Sequence, residues 1–285
     1  MKTFNSKYKI NILATPIGNI SEVSTRFING INECDVILCE DTRVTKKLLT
    51  LLGFEKQFKL IKFELHNENN IIGDVIEMIF DGKNIGLVSD AGYPTISDPG
   101  YKLINECIKN EIAINVINGP SSVLHALVGS GLISQDFIFL GFIGKTRNER
   151  KKRIIKYSNI ETTFVIFESP HRLKECLIDL QEILNPRSKI CIARELTKIH
   201  EEFIYSTLEK INQEEIEPKG EYVIVIKNIL NENNNLNIEK EIIKLKKLNY
   251  KTKDISRIIS QEFNIDQHEV YNHVIKINNR SNNNE

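Results

Sequence analysis

The sequence predicts an α/β protein built on two sheets, the first of them mainly parallel. Short β-rich apolar runs recur along the chain with longer amphipathic stretches between them, the pattern of strands covered by helices on both faces. Those runs form two series, one on each side of a Gly- and Ser-rich segment over 118–135 that contains Gly129-Ser130-Gly131. At 285 residues the chain also exceeds the usual single-domain size, so two domains with a small appendage are expected.

In the first series the candidate strands lie near 9–14, 35–39, 58–63, 84–89 and 112–117, with helical patterns filling the gaps. In the second they lie near 137–143, 162–168, 189–194, 201–206 and 221–227. The interval between 189–194 and 201–206 is too short for a helix, which predicts a hairpin and hence a mixed second sheet. The asparagine-rich stretch Asn231 to Asn237 reads as a linker. Beyond it, Ile242, Leu245 and Leu248, then Ile255, Ile258, Ile259 and Phe263, then Val270, Tyr271, Val274 and Ile277 mark three helix faces, the last opened by a capping-box spacing at Asp266 and Glu269. The expected division is 1–118, 119–230 and 231–285.

The composition, 41% hydrophobic and 27% charged, is that of a soluble globular chain. Thirty-eight basic and 38 acidic residues cancel, so any nucleic-acid surface must be a local patch. Five cysteines (Cys34, Cys39, Cys107, Cys176, Cys191) form no CxxC pair and sit in apolar runs, which reads as reduced core thiols of a cytoplasmic protein. Met1 to Tyr8 has no apolar signal region, no stretch approaches a membrane span, and six histidines form no ligand-spaced cluster, so neither membrane nor metal is expected.

In open α/β sheets ligands bind beyond the carboxyl ends of the strands, where helix N-termini and free backbone N–H groups converge. The loops to read are therefore Ala14–Asn19, Glu40–Arg43, Ser89–Gly100 and Asn118–Ser122, which share one edge. Five of the seven prolines (Pro16, Pro94, Pro99, Pro120, Pro170) fall in such loops and stiffen them. Gly, Pro, Ser and Asp are also plain turn formers, and Asp98-Pro99 reads as an N-cap followed by a first-turn proline. The twelve-residue loop from Ser89 to Gly100 outruns the usual βα connection, and long ordered loops are more often functional.

Several motifs fail. Gly141 to Thr146 resembles a P-loop, but the required first glycine falls on Phe139. No GxGxxG follows the first strand, and His200-Glu201-Glu202-Phe203-Ile204 lacks the second histidine of a zinc-protease helix. In the second series Glu168-Ser169-Pro170-His171-Arg172 and Arg194-Glu195-Leu196-Thr197-Lys198 also follow strands, as mutual ion pairs or as substrate contacts. Lys145 to Lys156 holds seven basic residues against one acid, Glu149; this is a solvated helix face or a track for phosphates.

Together these phrases, with Lys219-Gly220-Glu221, resemble the tetrapyrrole methylase superfamily and, within it, the branch that methylates small-subunit ribosomal RNA, over roughly 9–228. The resemblance implies two α/β domains with the cofactor cleft between them, S-adenosylmethionine as cofactor, and transfer of its methyl to a cytidine ribose 2′-hydroxyl in the decoding region of 16S ribosomal RNA. It implies cofactor contacts from Pro16, Gly18, Asp90, Ala91, Gly92, Ile96, Ser97 and Ser121 and from backbone near Leu140 and Gly220. It further implies small ribosomal subunits as partner and a homodimer. Three features depart from the pattern: no glycine-rich turn with an acidic end follows the first strand, which argues against a porphyrinoid substrate, Gly144 replaces a usual proline, and Tyr93 replaces a smaller residue.

In-line methyl transfer chiefly needs alignment of sulfur, methyl and oxygen, with help to the departing hydroxyl proton. The candidates for base or hydroxyl orienter are Glu168 and Glu195, with Lys198 beside them. Arg43, Lys145, Arg147, Arg150, Lys151, Arg153 and Arg172 are the candidates for RNA phosphates. A small-molecule methyltransferase of the same fold, or a nucleic-acid-binding module carried by the C-terminal helices, remain the rival readings.

Overall fold

The computed structural model describes residues 8–230, 232–248, 250–263 and 266–282. The expectation for the chain's start lies, for 1–7, outside the described residues. In the first half β1 (Lys9–Leu13), α1 (Thr25–Glu33), β2 (Val36–Cys39), α2 (Thr42–Leu51), β3 (Lys59–Lys62), α3 (Glu68–Phe80), β4 (Ile85–Val88), α4 (Tyr101–Lys109), β5 (Ala113–Ile117) and α5 (Ser122–Gly129) alternate. The strands form one sheet in the order β3-β2-β4-β1-β5, and every pairing is parallel. Its inner strands β2 and β4 read as continuous apolar runs because both faces are covered. Val36 and Leu38 pack with Val75, Ile79 and Leu103 of α3 and α4, while Ile37 and Cys39 pack with Phe27, Ile31 and Leu49 of α1 and α2. Successive strand side chains point to opposite faces, so each must be apolar.

The second half contributes β6 (Phe137–Phe142), α6 (Arg147–Tyr157), β7 (Thr163–Glu168), α7 (Leu173–Ile183), β8 (Lys189–Arg194), β9 (Glu202–Thr207) and β10 (Tyr222–Lys227). The sheet order is β6-β7-β10-β8-β9. β6 pairs parallel and β10 antiparallel with β7, so the sheet is mixed, and β8 lies beside β9 in it. Register shifts between Phe139 and Gly141, leaving Leu140 opposite no residue of β7. All five cysteines are free and buried, and burial pushes the Cys34 thiol up to about 11 and those of Cys107 and Cys191 to about 12.

Three helices follow: α8 (Glu232–Lys247), α9 (Thr252–Phe263) and α10 (Gln267–Asn282). They share an apolar cluster that includes Ile238, Ile242, Ile255, Ile259, Val270 and Val274. Here two expectations change. The stretch read as a linker is helical from Glu232 on, with residue 231 outside the described residues. Asparagine costs only a few tenths of a kcal/mol per helical position, and extending a helix already docked through Ile238 and Ile242 is easy. Leu248, expected on the buried face, lies past the last residue of α8 and is 61% exposed. Asp266 does cap α10, accepting from the His268 and Glu269 N–H groups at 2.9 and 3.1 Å.

Cα compactness groups Met1–Gly129 with Ala193–Glu202 as one unit and Ser130–Ile192 with Phe203–Glu285 as another. The first unit thus runs past residue 118 to include α5, and it takes in the segment joining β8 to β9. The C-terminal helices are grouped with the second unit rather than standing alone.

Candidate functional site

Because every strand of the first sheet is parallel, the loops after β1, β2, β4 and β5 leave from one edge, and hydrogen bonds lace them together. Thr15 and Gly92 form an isolated two-way bridge, with N···O distances of 2.9 and 3.1 Å, and the Thr15 hydroxyl donates to Ser89 O at 3.1 Å. Asp41 N donates to Asp90 Oδ1 at 3.2 Å, tying the β2 loop to the long loop. Tyr93 OH donates to Asn118 Oδ1 and accepts from Gly119 N, which ties the long loop to the one after β5. The larger residue at 93 therefore acts as a strut between loops. Ser121 sits ahead of α5, its hydroxyl oxygen 3.4 Å from Leu124 N.

The segment 193–202 joins the same assembly. Asn19 N donates to Thr197 Oγ1 at 3.0 Å, Thr197 N donates to Glu201 Oε2, and His125 Nε2 of α5 lies 3.2 Å from that same carboxylate oxygen. Gly18 faces this segment so closely that a Cβ there would lie 2.5 Å from Lys198 Cγ and 2.8 Å from Thr197 Oγ1. Lys198 Nζ holds Glu195 Oε1 at 2.9 Å, and both side chains keep part of their surface in solvent.

Backbone strain concentrates in two of these loops. Among the described residues, five that are not glycine have positive φ, and four of them are Thr95, Ser97, Glu195 and Thr197. Such conformations cost on the order of 1–3 kcal/mol each and persist where surroundings over-determine them, typically at functional sites.

The charges at this edge crowd one another. Burial, then the neighbouring Glu40 and Asp90 carboxylates, push Asp98 up to about 7. Burial raises Asp90, partly offset by the Asp41 N–H it accepts from, and raises Glu40, with Asp90 adding to it. Asp41 goes the other way, held well below the usual carboxylate range by the Arg43 guanidinium and N–H. Arg43 is exposed and paired with it. The expected capping role of Asp98 is not observed. Helix α4 starts after Gly100, and the buried Glu68 of α3 accepts from the Gly100 and Lys102 N–H groups at 3.2 Å each. A carboxylate from a neighbouring helix does the capping, so Asp98 is left among acids.

The remaining expected residues lie in the second unit. Leu140 occupies the β6 irregularity, and Gly220 precedes β10 in the left-handed region, at φ 109°. The Glu168 side chain is 1% exposed; its Oε1 accepts from Ser169 N at 2.8 Å and Arg172 Nε at 2.9 Å. It is a buried anchor for Arg172, a poor position for a group meant to take a proton from substrate. Arg150, expected on phosphates, is corrected: its side chain is 2% exposed, and its guanidinium pairs with Asp179 at 2.7 Å and Glu175 at 3.0 Å. Arg147 pairs with Asp179 and Glu182, and Lys151 with Glu182. Arg153 lies over the Tyr157 ring at 5.2 Å. The acids of α7 thus neutralise much of the basic run, and Lys145, with Arg147 and Lys152, keeps an exposed position.

A family described as tetrapyrrole (corrin/porphyrin) methylases matches residues 9–212. The chain belongs to that family. Within the tetrapyrrole methylases it is 40% identical over 224 residues to "Ribosomal RNA small subunit methyltransferase I" of Halalkalibacterium halodurans, covering 78% of this chain and 76% of that one. It is 37% identical over 273 residues to the protein of the same name from Mycoplasma pneumoniae, covering 92% and 96%. Among solved structures, the methyltransferase CobJ shares the fold at a TM-score of 0.59 with 16% identity, over 78% of this chain and 94% of that one. The methylase fold accounts for the two sheets. Several of the residues that lace the edge escaped the sequence reading: Glu68, His125 and Glu201 act across long sequence separations that no local pattern encodes.

Proposed function

We propose that the protein transfers the methyl group of S-adenosylmethionine to a cytidine ribose 2′-hydroxyl in the decoding region of 16S ribosomal RNA. The observation that carries this reading is the identity, over most of the chain, to relatives named for small-subunit ribosomal RNA methylation. The first-unit edge supports the cofactor. S-adenosylmethionine carries a sulfonium and an ammonium charge, and Glu40, Asp90 and Asp98 are acids whose ionisation burial and mutual repulsion hold back, so a cation beside them relieves both. Ala91, Ile96 and Ser97 present exposed positions on the strained loop, and Pro16, Gly18, Gly92 and Ser121 fix the loops around it. Backbone at the Leu140 irregularity and at Gly220 completes the proposed set.

When bound, the cofactor supplies an electrophilic methyl. The residues then have to hold the ribose oxygen in line with it, which is where most of the rate arises. Glu195, paired with Lys198 and partly exposed, is the better placed of the two candidate carboxylates to orient the hydroxyl and accept its proton. Glu168 serves by holding Arg172, which with Arg43, Lys145, Arg147, Lys151 and Arg153 is proposed to meet phosphates. The proposed setting is the cytoplasm, with the enzyme as a homodimer acting on the small ribosomal subunit; among the described residues no helix is long and apolar enough to cross a membrane.

The test is transfer of labelled methyl from S-adenosylmethionine to small subunits lacking the modification, with free cytidine and a porphyrinoid as controls. Label mapping to one ribose of the 16S RNA is the expected result. Cofactor binding with transfer only to a small molecule would overturn it.

A further inference from the structure

We propose that Phe142 is a stacking platform for an unpaired base of the RNA substrate, a proposal that rests on the ribosomal RNA reading above. β6 is an edge strand, and its last residue, Phe142, is 56% exposed. The ring is not loose: it meets Phe167 edge-on at 5.7 Å between centroids, and Phe167 in turn meets Phe139 at 4.9 Å. Phe142 and Phe167 stand opposite each other in the parallel β6–β7 register. An exposed aromatic on a sheet edge invites misassembly, and proteins usually blunt such edges with charge. Here the edge is kept, and the ring is braced while more than half exposed. A T-shaped contact fixes an aromatic ring while leaving exposed surface for a further stack, and every nucleobase offers a π-face to match.

Charge points to a nucleic acid as the occupant. The two strands that pair at Phe142 and Phe167 run on into Lys145 and, past Glu168, into His171-Arg172. Lys145 is held by its backbone, because Glu149 Oε2 accepts from Lys145 N at 2.9 Å and Thr146 N at 3.0 Å. The turn that sets this up needs Gly144, which stands at φ 140°; a Cβ there would lie 2.5 Å from Glu149 Cβ and 3.0 Å from Arg150 N. The lysine's anchored backbone and exposed side chain suit a phosphate flanking a stacked base.

The test uses the full chain and a short single-stranded oligoribonucleotide carrying one 2-aminopurine, whose fluorescence is quenched on stacking. Wild type is expected to quench it. Phe142→Ala and Phe142→Leu are expected to lose most of the quenching and to bind about tenfold more weakly, in the range measured for one base–aromatic stack. Phe142→Tyr is expected to restore both. Lys145→Ala is expected to weaken binding and lower the salt slope by about one while leaving quenching at saturation intact. Thermal melts check folding. Unchanged affinity and quenching in Phe142→Ala, with wild type still methylating subunit RNA, overturns the platform and leaves the function standing. No RNA binding or methylation by wild type overturns both. A change in sedimentation of Phe142→Ala without a change in RNA binding assigns the ring to contact between copies of the chain and overturns the proposal.

Discussion

The edge of the first sheet and the α6–α7 face of the second unit are both dense in charge, but they use it in opposite ways. On α6–α7 each of these cations has its acid: the buried Arg150 sits between Asp179 and Glu175, and the more exposed Arg147 and Lys151 share Glu182. At the first-sheet edge Glu40, Asp90 and Asp98 face other acids, and their ionisation is held back. Compensated charge of the first kind fixes how two helices pack. Charge left uncompensated, on loops that also carry strained backbone, is destabilising unless something binds there, and that is why the edge is proposed as the cofactor site. A count of charges in the sequence treats the two regions alike.

Breaking the compensated network should have the largest effect. Asp179→Ala leaves Arg150 buried with its main partner gone, and a loss of about 3–5 kcal/mol in urea unfolding is expected. Replacing both partners at once, with Arg150→Met and Asp179→Leu, should recover most of that loss, because an apolar pair of similar volume needs no desolvation of charge. A double variant as unstable as Asp179→Ala would show that the network does more than fill space.

At the first-sheet edge, Gly18→Val drives a side chain into Lys198 and Thr197 and against Leu196 O, and should cost about 1–3 kcal/mol while lowering methyl transfer more than stability alone explains. Equal transfer at saturating cofactor would separate that segment from the site.

A subtler difference concerns pH. Asp98 is protonated in the folded chain up to about pH 7 but loses its proton near 3.8 when unfolded, so between those values the native state holds the extra proton. Its contribution to stability therefore falls as pH rises from about 4 to 7, and stays at its lowest above that. Asp98→Asn should match wild type in melting temperature at pH 4 and exceed it at pH 8. A constant difference across that range would contradict the assigned crowding. The smallest effect is expected of Lys151→Ala, whose surface pairing with Glu182 should leave the melting temperature unchanged within error.

The strands were legible to within a residue or two because burial on both faces demands unbroken apolar runs, as in Val36-Ile37-Leu38-Cys39. That the loops after β1, β2, β4 and β5 gather at one edge was legible too, since it follows from parallel order. What escaped were properties set by partners distant in sequence. Arg150 reads as one more cation until α7 brings Asp179 and Glu175 against it, although Glu175, Asp179 and Glu182 share one helical face in the sequence. Asp98 reads as a helix cap until Glu68, from another helix, takes that role. The helical start of α8 was hidden because asparagine resembles linker composition and its docking residues begin only at Ile238.

The most direct measurement is calorimetric titration of S-adenosylmethionine into wild type, Asp90→Asn, Asp98→Asn and the Arg150→Met/Asp179→Leu double variant. If the uncompensated edge is the cofactor site and the α6–α7 network is structural, both edge variants bind more weakly and the double variant binds as wild type does. Undiminished affinity in both edge variants, or a loss confined to the double variant, would contradict that assignment.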